Sequence, residues 1–237
     1  MQIRVGTSGW NYGHWVGPFY PEGLAKARWL EHYSSTFETV EVNATFYRSM
    51  RPSTFEKWRM ATPDGFVWAV KANRYITHIK RLEEVSDSLV AFLESLEPLG
   101  EKLGPVLFQL PPSLVFDQVR VQSFLSLLPE GMRCVIEARN TSWTGAVALD
   151  CLKENDIAWC ISDTAGRYPY LEALTADFAY IRLHGSRKLY SSCYTDEELQ
   201  AWAERIRAWG VDSYVYFDND FMGHAPQNAL RLRELLS

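Results

Sequence analysis

The amino-acid sequence predicts an α/β fold, a single (β/α)₈ barrel of the TIM type that spans residues 1–237 as one domain. Eight short segments rich in β-branched and aromatic residues alternate with helix-like segments. Each strand–helix unit is about 30 residues long, as in such barrels. No glycine-rich or serine-rich linker divides the chain. A doubly wound open sheet is the main competing architecture.

The predicted strands are defined by their β-branched and aromatic residues, which favour extended backbone. In chain order they are IRVGT (3–7), TVEVN (39–43), FVWAVKAN (66–73), PVLFQLP (105–111), RCVIEAR (133–139), AWCISD (158–163), AYIRLHG (179–185) and SYVYFDND (213–220). Several of these segments end in charged or amide residues, which a purely structural strand does not need.

The predicted helices lie between these strands, at 26–37, 53–60, 85–99, 117–128, 146–154, 196–209 and 225–236. Ser53 after Pro52 is a candidate N-cap, and Gly100 follows the third helix. The sixth helix opens with Thr195 or Asp196 as a cap and has acidic residues in its first turn, where they favour the helix dipole.

Composition limits the class of protein. Hydrophobic residues make up 47% of the chain, which indicates a globular protein. The net charge of -5 argues against nonspecific nucleic-acid binding, which depends on a basic excess. The four cysteines have no metal-binding spacing, and the sequence contains neither a secretory signal nor a bilayer-length apolar run. We therefore expect a cytoplasmic protein with reduced thiols.

Residue parity along the strands predicts a polar ring inside the barrel. Side chains alternate between the two faces of a strand, so Val40 and Val42 would face the helices while Glu41 and Asn43 face inward. The same parity on other strands predicts further inward-facing residues: Lys71, Asn73, Glu137, Arg139, Arg182, His184, Tyr216, Asp218 and Asp220, while Gln109 and Asp163 close the fourth and sixth strands. These residues lie at carboxyl ends of strands, where (β/α)₈ enzymes build their active sites.

Two interpretations of this ring are open. Buried charges are costly unless they pair with one another or bind a ligand. A closed ion-pair network could simply fill the barrel, formed by Arg4, Glu41, Lys71, Glu137, Arg182 and Asp218. A binding or catalytic centre is favoured for the ring as a whole, because aliphatic side chains would fill a barrel without these costs.

The chain also resembles a known family in seven motifs: GTSGW (6–10), VEVNATFY (40–47), VKANRYITH (70–78), LFQLPPS (107–113), IEARNTSW (136–143), YIRLHG (180–185) and YFDND (216–220). Together they resemble the YecE-like family, domain of unknown function 72. The resemblance implies a barrel with a strand-end site and no established reaction. Asn140 stands where the family usually has histidine, and Asp218 where it usually has asparagine, so no histidine role is carried over to position 140.

The expected function is that of an enzyme, a hydrolase that acts on a phosphate-bearing or otherwise anionic substrate. The candidate catalytic residues are Glu41, Glu137, His184 and Asp218. The candidate substrate-binding residues are Trp10, Asn43, Tyr47, Lys71, Asn73, Gln109, Arg139 and Arg182. In this hypothesis Glu41 and Glu137 activate water or transfer protons, His184 shuttles a proton and Asp218 orients a neighbouring group. Lys71, Arg139 and Arg182 hold the anion.

Three alternatives remain open from the residues. A metal-dependent phosphodiesterase, nuclease or isomerase would use Glu41, Glu137, Asp163, His184 and Asp218 as ligands, although neighbouring cations would repel the metal. A glycoside hydrolase would pair Glu41 with Glu137. A non-catalytic protein would only bind an anionic metabolite. No cofactor or membrane partner is expected, and nucleic acid is a weaker candidate partner than a small anion.

Overall fold

The computed structural model describes residues 1–237, in which eight parallel strands form one curved sheet. The strands are β1 (Ile3–Thr7), β2 (Thr39–Val42), β3 (Val67–Lys71), β4 (Leu103–Gln109), β5 (Cys134–Glu137), β6 (Ala158–Asp163), β7 (Phe178–Leu183) and β8 (Asp212–Phe217). All eight predicted strands are confirmed.

Helices surround the sheet: α1 (Trp29–Thr36), α2 (Ala44–Tyr47), α3 (Pro52–Met60), α4 (Ser86–Leu96), α5 (Gln118–Leu125), α6 (Ala146–Glu154), α7 (Asp196–Trp209) and α8 (His224–Leu236). A π-helical turn at Tyr75–Ile79 precedes α4, and the β6–β7 connection contains no helix. The seven predicted helices are confirmed, whereas the single turn of α2 and the π-helical turn were not predicted. None of the helices combines the length and hydropathy needed to cross a bilayer.

Several predicted helix boundaries differ from the observed ones, by up to three residues, and those of α3 and α4 are examples. Ser53 is not the N-cap of α3, because the helix begins one residue earlier, with Pro52 in the first turn and Arg51 as the cap. Proline suits this position because its missing N–H has no partner there. The predicted helix 85–99 ends as α4 at Leu96, and a 3₁₀ segment follows. The Thr195 cap of α7 is confirmed, as a capping box with Glu198.

The sheet closes between its first and second strands. The order is β1-β8-β7-β6-β5-β4-β3-β2, and a parallel bridge between Ser8 and Glu41 joins the two edges. Gly6 permits this approach, because a Cβ atom there would lie 2.2 Å from the carbonyl oxygen of Thr39. Closure excludes the open doubly wound sheet and leaves the barrel.

The apolar residues divide into two cores. The larger core lies between the strands and the helices and includes Val40 and Val42, as parity predicted. The smaller core contains nine buried residues on the inward face of the strands, among them Leu107, Val135 and Tyr180. This inner core fills the barrel below the carboxyl ends of the strands. The polar ring therefore rests on a packed apolar floor.

Candidate functional site at the barrel mouth

Arg182 is the centre of the polar ring. Its Nε and Nη2 atoms donate hydrogen bonds to the two carboxylate oxygens of Glu41, at 2.9 and 2.7 Å. Its Nη1 atom donates to Glu137 at 2.7 Å. None of the three residues is more than 1% exposed. The guanidinium, carried by β7, thus joins carboxylates that lie on β2 and β5.

Additional donors complete the hydrogen bonding of Glu41. The hydroxyls of Ser8 and Tyr180 each donate to it at 2.7 Å. Neither residue was predicted from the sequence, although both share the inward parity of their strands. Tyr180 lies two residues before Arg182 on β7, and Ser8 lies two residues after Gly6 of β1. The carboxylate of Glu41 thus accepts four hydrogen bonds, two of them from a guanidinium, so its charge is compensated without a ligand.

Glu137 is compensated in the same way. Gln109 donates to it at 2.9 Å, and the Nη2 atom of Arg139 donates at 3.1 Å. Burial alone would raise the pKa of Glu137, but Arg182 and Arg139 hold that pKa well below its usual range. Glu137 is therefore ionised at neutral pH, which does not suit a general acid.

His184 and Asp218 lie beside this network. His184 is fully buried, and its Nδ1 atom lies 2.8 Å from the Oδ2 atom of Asp218, without the direction of a good hydrogen bond. The side chain of Asp218 is 19% exposed. Burial acts to raise the pKa of Asp218, but contact with His184 and the charge of Arg182 lower it. Asp218 is the carboxylate of the ring that reaches the mouth.

Lys71 differs from the other charged groups of the ring. It is only 7% exposed, yet no carboxylate lies within 4 Å of its ammonium. The Nζ atom lies over the ring of Phe46, 4.2 Å from its centroid. Burial and the positive charge of Arg182 lower the pKa of Lys71 to about 8. The mouth therefore contains a buried cation without an ion-pair partner.

Arg139 lies above Glu137 and completes the accessible part of the site. Its guanidinium stacks on the ring of Tyr168, 4.4 Å from the centroid, and its side chain is 14% exposed. Because Glu41, Glu137, Arg182 and His184 are sealed from solvent, a ligand entering the mouth would meet Lys71, Arg139 and Asp218 first.

The structure brings eight of the twelve predicted site residues into this cluster: Glu41, Lys71, Gln109, Glu137, Arg139, Arg182, His184 and Asp218. Trp10 does not join them, because its ring packs edge-on against Trp58 and Trp68, at 5.1 and 5.3 Å. Tyr47 lies outside the cluster and is 72% exposed.

The two asparagines predicted for the site lie in the connections that follow β2 and β3. Asn43 is the N-terminal cap residue of α2, and its buried Oδ1 atom has no hydrogen-bond partner. Asn73 donates to the carbonyl oxygen of Thr45 at 3.0 Å and accepts from the backbone of Tyr75. Asn73 thus holds α2 against the loop after β3.

Two residues considered with the ring lie elsewhere. Arg4 is at the opposite end of the barrel, beside Tyr214, so it does not belong to the mouth network. Asp163 faces outward and accepts a hydrogen bond from Tyr194 at 2.9 Å. No three His, Cys, Asp or Glu side chains are arranged to hold a metal ion. Between Glu41 and Glu137, the position that suits a cation holds the guanidinium of Arg182.

Comparison with known proteins gives consistent matches. The family model described as "Protein of unknown function DUF72" matches residues 4–237. The UPF0759 protein YunF of Bacillus subtilis is 29% identical over 270 aligned positions, covering 99% of this chain and 94% of YunF. The UPF0759 protein YecE of Escherichia coli K12 is 29% identical over 139 positions, which cover 58% of this chain and 48% of YecE.

Solved structures agree with the fold. A DUF72 family protein from Thermotoga maritima superposes with a TM-score of 0.89 at 30% identity, covering 100% of this chain and 99% of that protein. One from Enterococcus faecalis gives a TM-score of 0.85 at 22% identity, covering 99% and 95%. Together with the family model, the full-length match to the Thermotoga protein shows that the chain belongs to the DUF72 family of (β/α)₈ barrel proteins, as its resemblance to YecE-like sequences predicted.

Proposed function

We propose that the protein is a hydrolase that acts on a phosphate-bearing substrate at the barrel mouth. Lys71 and Arg139 would bind the phosphoryl oxygens, and the ionised Asp218 would activate water. The same proposal includes a cytoplasmic location, where the four free cysteines would stay reduced.

The unpaired ammonium of Lys71 is the observation that carries this proposal. A buried cation without a counter-ion costs free energy, and an anionic ligand would remove that cost. Every other buried charge of the ring has partners within 4 Å. Lys71 is therefore the charged group of the mouth that has no direct ion-pair partner.

The proposed chemistry is an attack of water on phosphorus. Asp218 accepts a proton from the water, whose oxygen forms a new P–O bond as the P–O bond to the leaving group breaks. The leaving oxygen takes a proton from solvent. Lys71 and Arg139 stabilise the negative charge on the phosphoryl oxygens, an interaction that is strong in a mouth shielded from water.

Glu41, Glu137 and Arg182 have a positioning role in this account. They are sealed below the mouth, and their hydrogen bonds fix Arg139 and the strand ends that carry the reacting groups. His184 Nδ1 and Arg182 Nη2 lie 2.8 and 3.6 Å from the Oδ2 atom of Asp218, so both groups face its carboxylate. These roles differ from those expected from the sequence, in which the two glutamates transfer protons or activate water, His184 shuttles a proton and Asp218 orients a neighbour.

The geometry gives less support to a glycoside hydrolase. That mechanism needs one carboxylic acid that is protonated at working pH. Glu41 and Glu137 are both bound to Arg182, and the pKa of Glu137 is lowered. A non-catalytic anion-binding protein would use Lys71 and Arg139 in the same way, and kinetics separates it from a hydrolase.

Release of p-nitrophenol from bis(p-nitrophenyl) phosphate and from p-nitrophenyl phosphate tests the proposal. We expect the wild-type protein to hydrolyse one of these esters, and Lys71→Met and Asp218→Asn to lower the rate by about 100-fold or more. Lys57→Met, a lysine exposed on α3, is the matched control and should keep the full rate. Phosphate binding by a wild-type protein that hydrolyses neither ester would favour the binding protein instead. Equal rates for the wild-type protein and both mouth variants would contradict the proposed site.

A further inference from the structure

We infer that the substrate is a single-stranded nucleic acid, bound by the rim of the mouth. The rim is defined here as the five connections at residues 43–51, 72–85, 164–177, 184–195 and 218–223. This inference rests on the proposed function and names its substrate class: the ester at Lys71 would be a phosphodiester of the strand.

Exposed aromatic side chains are concentrated on the rim. Tyr47, Tyr75, Tyr190 and Phe221 are 72, 46, 43 and 57% exposed, and each lies in a connection that follows the carboxyl end of a strand. Tyr170, which is 47% exposed, lies in the β6–β7 connection, and this connection is also part of the rim. Exposed aromatic rings are the platforms on which unpaired bases stack.

Exposed cations without partners lie on the same connections. Arg48, Arg74, Arg167 and Lys188 are exposed, and none has a carboxylate within 4 Å. The five rim connections together contain eight Lys and Arg against six Asp and Glu, whereas the whole chain has a net charge of -5. The rim offers free positive charge to phosphates although the whole chain is acidic.

A groove lies beside two of these residues, Arg48 and Tyr75. Between α3 and α4 lies a cavity of about 490 Å³, lined in part by Arg48, Tyr75, Met50 and Phe92. Asn73, two residues after Lys71, also lines it. The apolar walls suit a base, and the arginine at its edge suits the adjoining phosphate. Thr45, which also lines the cavity, donates a hydrogen bond to the carbonyl oxygen of Lys71 at 2.6 Å, so the groove adjoins the strand end that carries Lys71.

The same features favour a single strand over a duplex. Stacking on Tyr75 needs a base whose face is free, which a duplex does not offer. Lys71 is recessed, and a flexible strand can enter the mouth more easily than a rigid helix. The acidic total charge also weakens a long duplex footprint.

Fluorescence anisotropy with a fluorescein-labelled single-stranded DNA of mixed sequence, about 20 nucleotides long, tests the inference. We expect the strand to bind more tightly than the corresponding duplex. Three to four phosphate contacts predict about 20- to 50-fold weaker binding when salt rises from about 50 to about 200 mM. The double variant Arg48→Glu/Arg74→Glu should weaken binding about tenfold or more, and Tyr75→Ala about fivefold or more.

The matched control is Lys57→Glu/Lys153→Glu, which makes the same change of charge at exposed positions on α3 and α6. It should leave binding within about twofold, because phosphate contacts are local. Equal weakening by the two double variants, or a preference for the duplex, would overturn the inference. Rim-dependent strand binding by a protein that hydrolyses no phosphate ester would support the inference while contradicting the proposed reaction.

Discussion

Arg182 donates two hydrogen bonds to the carboxylate of Glu41, at 2.9 and 2.7 Å, and both side chains are sealed inside the barrel. Their positions are 141 residues apart in sequence, and the closed barrel brings them together. Bidentate geometry makes this one of the stronger kinds of ion pair. The pair is therefore a structural element of the barrel mouth as well as the base of the candidate site.

Removal of Arg182 should strongly destabilise the fold. Arg182→Met would leave Glu41 and Glu137 buried without their shared counter-ion, at a cost of about 3–5 kcal/mol in the free energy of unfolding. Urea denaturation measures this cost. Arg231→Met removes a partly exposed partner of Asp196 and should cost about 1 kcal/mol or less. Equal costs for the two variants would show that the buried network does not stabilise the mouth.

Lys71→Met should leave stability unchanged or increase it, because it removes a buried charge that lacks a partner. The pKa of Lys71 is lowered from 10.5 to about 8, so the folded state binds fewer protons than the unfolded state between these values. Wild-type stability should therefore gain a contribution as pH rises through this window, and the variant should lack it. Urea denaturation at several pH values tests both points. A large loss of stability in Lys71→Met would indicate a structural role instead.

Glu137 should make stability sensitive to acid. Its pKa is lowered in the folded state, so its contribution is present above the unfolded pKa of about 4.3 and is lost as pH falls through the folded pKa. Glu137→Gln should show a shallower loss of stability below about pH 4.3 than the wild-type protein. Glu56→Gln, exposed on α3, should keep the wild-type slope. Identical slopes for all three proteins would argue against an ionised Glu137.

Gly6→Ala tests how the barrel closes. The added methyl group would meet the carbonyl oxygen of Thr39 at 2.2 Å, so β1 and β2 must separate. We expect a loss of about 3 kcal/mol in the free energy of unfolding. At Gly13 an added Cβ meets nothing within 4 Å, so Gly13→Ala should cost much less. A well-tolerated Gly6→Ala would mean that the β1–β2 edge is not tightly packed.

The polar ring could be predicted from the sequence because residue parity in a strand is a strict geometric rule. Alternation alone placed Glu41, Glu137, Arg182 and Asp218 on the inward face. The same rule does not say how far along the barrel axis a residue lies. For that reason Arg4 was grouped with residues at the opposite end.

The state of each ring residue could not be predicted in the same way. Whether a carboxylate is free or saturated depends on side-chain distances between strands far apart in sequence. The bond from Tyr180 to Glu41 and the lack of a partner for Lys71 are of this kind. Trp10 shows the same limit, since an aromatic residue after a strand can face the mouth or the helices, and here it packs on Trp58.

The pKa of Lys71, followed by NMR of the protein labelled with ¹³C at lysine Cε, tests the central claim most directly. An unpaired buried ammonium should titrate near 8, below the ordinary value of 10.5. Addition of inorganic phosphate should raise this pKa, because an anion at the mouth stabilises the charged form. A pKa near 10.5, or one that phosphate leaves unchanged, would contradict the assignment of Lys71 as the anion-binding group.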